Sequence, residues 1–134
     1  MVENAQVAQE VCEAFAAVTK KSLRWATAKV EGESVVLAAS GARESTLEEL
    51  AAAVGDEPLY IVFDFEHTKD DGVHATKTCF IAYAPDSCRN MQAKFALQNY
   101  KRSVMSKVNS HKEMQINDKA DLKLSEFLAA FNWD

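Results

Sequence analysis

Seven consecutive residues constrain this chain more tightly than any others. Leu59-Tyr60-Ile61-Val62-Phe63-Asp64-Phe65 places one charged side chain among residues that favour strands. A strand presents alternate side chains to opposite faces, so apolar groups at nearly every position need cover on both. The run therefore predicts a central strand, and its neighbours must supply both a sheet and helices to cover it.

The flanking segments can do so. Val7, Val11, Ala14, Phe15 and Val18 recur at helical spacing and predict a first helix over residues 5–20. Leu23 to Val30 alternates, Glu31-Gly32-Glu33 makes a turn, and Ser34 to Ala38 is the return strand of a hairpin. Ser45 or Thr46 caps a short helix that turns Leu47, Leu50 and Val54 inward and stops at Gly55. Beyond the central strand, a polar loop from His67 to Gly72 leads to a strand over Thr76 to Tyr83. A long helix runs from about Met91 to Val108, burying Ala93, Leu97, Tyr100, Val104 and Val108. Glu113 to Asn117 is a last strand, Asp118 to Asp121 a turn, and Leu124, Phe127, Leu128 and Phe131 belong to a closing helix. Helical connections usually join parallel strands, so the expected class is α/β: a five-stranded mixed β-sheet flanked by helices on both faces. A length of 134 residues suits one domain spanning 1–134.

Several function classes drop out. No apolar run approaches the roughly 20 residues that span a bilayer, and the N-terminus lacks the features of a secretory signal, so a cytoplasmic protein is expected. Three cysteines occur with no Cys-x-x-Cys spacing, and none of His67, His74 or His111 is placed to complete a zinc site. Cys12 and Cys79 read as packing residues; Cys88, beside Arg89, is a candidate reactive thiol, but packing is the commoner role. The four glycines are each expected at a turn and build no phosphate loop. Asp64 and Glu66 share a strand face and could pair, yet they lack a partner base and are expected in solvent at the strand end. The histidines are likewise expected to be exposed. No catalytic residue, cofactor or metal is expected.

Charge is the informative feature for function. The 26 residues from Ser87 to Lys112 hold Arg89, Lys94, Lys101, Arg102, Lys107 and Lys112 and no acidic residue. Elsewhere nine basic residues face twenty acidic ones, a net of −11. A run of Lys and Arg is commonly just the solvated side of a helix. Here acidic residues fail to interleave, and apolar Met91 and Phe95 lie near Lys94, a mixture typical of interfaces. Nucleic acid is a poor candidate, because the aromatic residues needed for stacking fall in strands or on buried faces and the pI is about 5.2. An acidic protein partner suits the helix better.

Four segments resemble the actin-depolymerising factor and cofilin family. Leu59 to Glu66 is similar to that family's "YxxYDFEY" strand, and Lys77 to Ser87 to its "KxxFxxWxPDT" segment. Lys94 to Lys101 resembles the "KMxYASSK" helix, with one extra residue between Asp86 and Lys94, and Gln115 to Asp118 the "QANDxxDL" turn. The resemblance implies an ADF-homology, gelsolin-like fold and an actin-binding, non-enzymatic regulator without a cofactor. It implies an actin-binding surface built from Val2, Glu3, Asn4, Ala5, Met91, Lys94, Phe95, Gln98, Lys101, Arg102, Ile116, Asn117 and Asp118. It also implies weaker filament contacts at His74 and Lys77, and phosphoinositide binding on an overlapping surface. Val2 to Ala5 offer no hydroxyl where the family usually carries a phosphorylated serine. Gln92 replaces a frequent arginine, His74, Ala75 and Thr76 replace basic residues before the fourth strand, and Ala129 and Ala130 replace charged ones near the end. The expectation is a monomeric protein that binds monomeric actin, promotes filament turnover and contacts filament sides weakly. Coactosin-like and glia maturation factor-like regulators of the same fold remain open, as does an anionic-lipid binder; a small α/β enzyme would need a polar pocket that the sequence does not show.

Overall fold

The apolar run lies in the interior of a sheet, as its pattern requires. The computed structural model describes residues 6–68, 71–108, 112–123 and 125–127. In chain order they form β1 (Gln6–Val7), α1 (Gln9–Thr19), β2 (Leu23–Glu31), β3 (Ser34–Ala42), α2 (Leu47–Ala53), β4 (Leu59–Thr68), β5 (His74–Tyr83), α3 (Met91–Met105) and β6 (Lys112–Ile116). A 3-10 turn over Lys119–Asp121 comes after β6. The strand order is β1-β3-β2-β4-β5-β6. The outer pairs β1–β3 and β5–β6 are parallel and the inner pairs antiparallel. The five expected strands form the mixed sheet, and two-residue β1 is added at one edge.

Alternation along β4 divides the core into two layers. Tyr60 and Val62 face Val11, Phe15 and Val18 of α1 and Leu97, Tyr100 and Val104 of α3. Leu59, Ile61, Phe63 and Phe65 face the opposite way, toward Leu50 of α2, Leu122 and Phe127. Phe127 lies 5.3 Å from the ring centroids of both Phe63 and Phe65. On the other layer the Tyr60 hydroxyl donates to the Leu97 carbonyl, which ties α3 to the central strand. Burial first, then the neighbouring Tyr100, pushes the Tyr60 phenol well above its ordinary pKa.

Local physics accounts for the departures from the expected boundaries. α1 begins at Gln9 because Ala8 is extended (φ −57°, ψ 144°) and its N–H donates to the Val35 carbonyl at 2.9 Å. Val7 thus keeps helical spacing while sitting in a strand. α3 ends at Met105, where Lys107 and Val108 donate to carbonyls three residues back and tighten the last turn. β3 continues to Ala42, so Gly41 is a strand residue rather than a turn residue. A Cβ there would collide with the Trp25 indole. Thr46 caps α2, accepting from the Glu49 N–H at 3.1 Å. Phe127 aside, the named residues of the expected closing helix lie outside the described residues.

The expectation of a solvated Asp64 is wrong. Its carboxylate is fully buried, 2.7 Å from Arg43 Nη1 and 3.1 Å from Lys21 Nζ. Lys21 occupies the left-handed position (φ 68°) just past α1. There its N–H donates to Val18 and that of Ser22 to Ala17, the Schellman pattern usually given to glycine. This backbone position brings the ammonium to Asp64 and to Thr76 Oγ1 at 2.8 Å. Glu66 completes the cluster through Arg43, with Arg24 at 3.7 Å. Arg24 also stacks over Phe63 at 5.4 Å, and burial, then Arg43, lowers its pKa against the raising effect of Asp64. Both carboxylates are thus engaged by cations and are fold-stabilising groups.

Candidate functional site

Helix α3 supplies the candidate surface. Asn90 caps it by accepting from the Ala93 N–H at 3.1 Å. Leu97, Tyr100, Ser103 and Val104 turn toward the sheet. Met91, Phe95, Gln98 and Arg102 are spaced by four, three and four residues and form one exposed stripe on the opposite side. Met91 is 56% and Phe95 62% exposed, and among the described residues Val73 is the only other large apolar side chain so exposed. Two bulky apolar groups held in water on adjacent turns favour a partner that covers them.

Lys94 and Lys101 lie on one shoulder of this stripe, each half-buried. Arg89, Lys94, Arg102, Lys107 and Lys112 form no ion pair among the described residues, whereas Lys101 pairs with Glu113 of β6. Lys101 is therefore not the free cation that the acid-free stretch around it implies. Its partner is the first acidic residue after that stretch, and β6 carries it back alongside α3. Between them runs a groove of about 550 Å3 lined by Gln98, Lys101, Arg102, Met105, Ser106 and Glu113.

The residues after β6 are placed by the same fold. Ala84 N–H donates to the Ile116 carbonyl and Asp86 N–H to the Asn117 carbonyl, at 2.9 and 2.8 Å. These bonds hold the approach to α3 beside the segment after β6. Asn117 and Asp118 are exposed there, and Asp118 Oδ1 accepts from the Ala120 N–H at 2.9 Å. Ile116 is 4% exposed and packs in the core, so its side chain is not available to a partner. Val2 to Ala5 lie outside the described residues.

His74 and Lys77 occupy the other end of β5 from the strand end that leads to α3. Nine steps from His74 to Tyr83 separate these ends by about 30 Å. His74 is exposed, its Nδ1 3.1 Å from Thr68 Oγ1 and its Nε2 3.7 Å from Glu66. Lys77 is half-buried. His111 and the side chain of His67 fall outside the described residues. Cys79 is fully buried, and burial first, then Asp64, raises its thiol pKa; Cys12 and Cys88 are half-buried. Among the described residues no His, Cys, Asp and Glu group could hold a metal, and no helix is long and apolar enough to cross a membrane.

The sequence pattern described as "Cofilin/tropomyosin-type actin-binding protein" matches residues 4–132. The chain belongs to this family. Its members are actin-binding regulators rather than enzymes. A curated relative, the actin-depolymerizing factor of Brassica napus, is 33% identical over 76 residues, which is 56% of this chain and 60% of that protein. Among solved structures, Plasmodium berghei actin depolymerization factor 2 superposes with a TM-score of 0.83 at 19% identity, covering 98% of this chain and 99% of that one. Human coactosin-like protein reaches 0.80 at 20% identity, covering 96% and 98%. At these identities the superpositions establish the fold, five-stranded mixed sheet and helices included.

Proposed function

We propose that this family member binds monomeric actin through the exposed stripe of α3 and promotes filament depolymerisation and turnover, acting in the cytoplasmic cytoskeleton. The observation that carries this reading is the exposure of Met91 and Phe95 beside Lys94 and Arg102, which have no ion-pair partner among the described residues. Apolar anchors flanked by cations suit a cleft with an apolar floor and an acidic rim. Gln98 and the exposed Asn117 and Asp118 extend the surface with polar contacts, and Val2 to Ala5 are assigned to it by family resemblance.

Filament side-binding is proposed to be weak. The second surface would use His74 and Lys77 of β5, where Ala75 and Thr76 stand in place of the basic residues that the family resemblance leads one to expect. A coactosin-like reading has support from the superposition on human coactosin-like protein, which matches the fold nearly as well as the Plasmodium factor does.

Two assays separate these readings. Monomer titration against ADP-actin and ATP-actin should give saturable binding, and cosedimentation should leave most of the protein in the supernatant while filament mass falls. Filament cosedimentation without loss of filament mass, together with no monomer binding, would transfer the assignment to the coactosin-like reading.

A further inference from the structure

The actin-binding reading, on which this inference rests, places a carboxylate inside the docking surface itself. Glu113 pairs its Oε1 with Lys101 Nζ across the groove between β6 and α3. The two members are unequally covered: the Lys101 side chain is 23% exposed and that of Glu113 41%. The negative member is therefore turned more toward solvent than the positive one. Among the described residues Glu113 is the sole acidic one lining the groove, and two other lining residues, Gln98 and Arg102, belong to the exposed stripe. The groove is thus continuous with the surface that carries Met91 and Phe95.

An acidic partner approaching α3 finds Lys94 and Arg102 without an ion-pair partner among the described residues and Lys101 already satisfied. To use Lys101 it must displace Glu113 or leave that carboxylate facing like charge, and either course opposes binding. We propose that Glu113 is an intramolecular competitor for Lys101, lowering the affinity of the α3 surface for acidic partners. Lys101 then contributes less than its charge suggests, and a partner carboxylate exchanges with an internal one instead of adding a new pair. The device works through side chains alone and needs no change of fold.

The test is a double-mutant cycle read by titration of monomeric actin with wild type, Glu113→Gln, Lys101→Ala and the double variant. Glu113→Gln is expected to tighten binding about two- to fivefold at low salt, the range for an exposed ion pair. In the Lys101→Ala background the same substitution should gain little, and raising the ionic strength should shrink the gain. Glu113→Asp, which keeps the charge, should stay near wild type. Equal tightening in both backgrounds would overturn the proposal by reducing the effect to net charge. Weaker binding by Glu113→Gln would overturn it too, making Glu113 a positioning residue for Lys101. If wild type itself fails to bind actin, the underlying reading falls and this proposal with it; if wild type binds and the cycle shows no coupling, only this proposal falls.

Discussion

At the scale of single residues, Asp64 shows how a charge can belong to the fold rather than to function. A fully buried carboxylate is tolerable only while its cations remain, and Lys21 provides one from just past α1 and Arg43 another from just past β3. Arg43→Ala should therefore destabilise the protein by about 3 kcal/mol, since it strips the nearer cation from a buried charge. Urea unfolding would show this as a lowered midpoint at an unchanged slope. None of it is legible locally. Lys21 and Arg43 lie 43 and 21 positions before Asp64 in the sequence, and the left-handed backbone at Lys21 sits where glycine is the usual signal. Glu113 hides in the same way: the acid-free stretch is visible, but the return of the next acid onto Lys101 requires the β5–α3–β6 crossover.

Secondary-structure elements are more legible than their contacts. β4 announces itself because two-sided burial removes polar positions, and α3 because one apolar stripe persists over four turns. β1 does not, since two residues carry no period of their own and Val7 fits the helical spacing of α1. Motif position alone puts Ile116 on the docking surface, although strand alternation turns its side chain into the core. Helix α3 also predicts an asymmetry between its lysines. Lys94→Ala should weaken monomer binding more than Lys101→Ala, because Lys94 has no internal partner among the described residues while Lys101 must first leave Glu113. Paired titrations at one ionic strength would read this directly, and equal losses would contradict the placement of the ion pair.

For the whole molecule, the two apolar layers set its response to alkali. The phenol of Tyr60 and the thiol of Cys79 are both raised above their ordinary values of 10.0 and 9.0, burial being the main cause. Below about pH 8 both groups stay largely protonated in the folded and unfolded chains and add little pH dependence. As pH climbs further, they ionise in the unfolded chain while the folded protein keeps its protons. Unfolding then releases protons, so stability falls with rising pH. The urea midpoint should drop between about pH 9 and 11, and Tyr60→Phe should flatten that decline. The same variant should cost about 1 kcal/mol at neutral pH, from loss of the hydroxyl bond to Leu97.

Phe95 gives the most direct test of the central claim, that the exposed stripe of α3 is the actin-binding face. Because its side chain is largely in solvent, Phe95→Ala should leave the melting temperature unchanged. Titrated against monomeric actin, the variant should bind about thirtyfold more weakly, the loss expected for an interface anchor worth about 2 kcal/mol. Wild-type affinity in a folded Phe95→Ala protein would contradict the account.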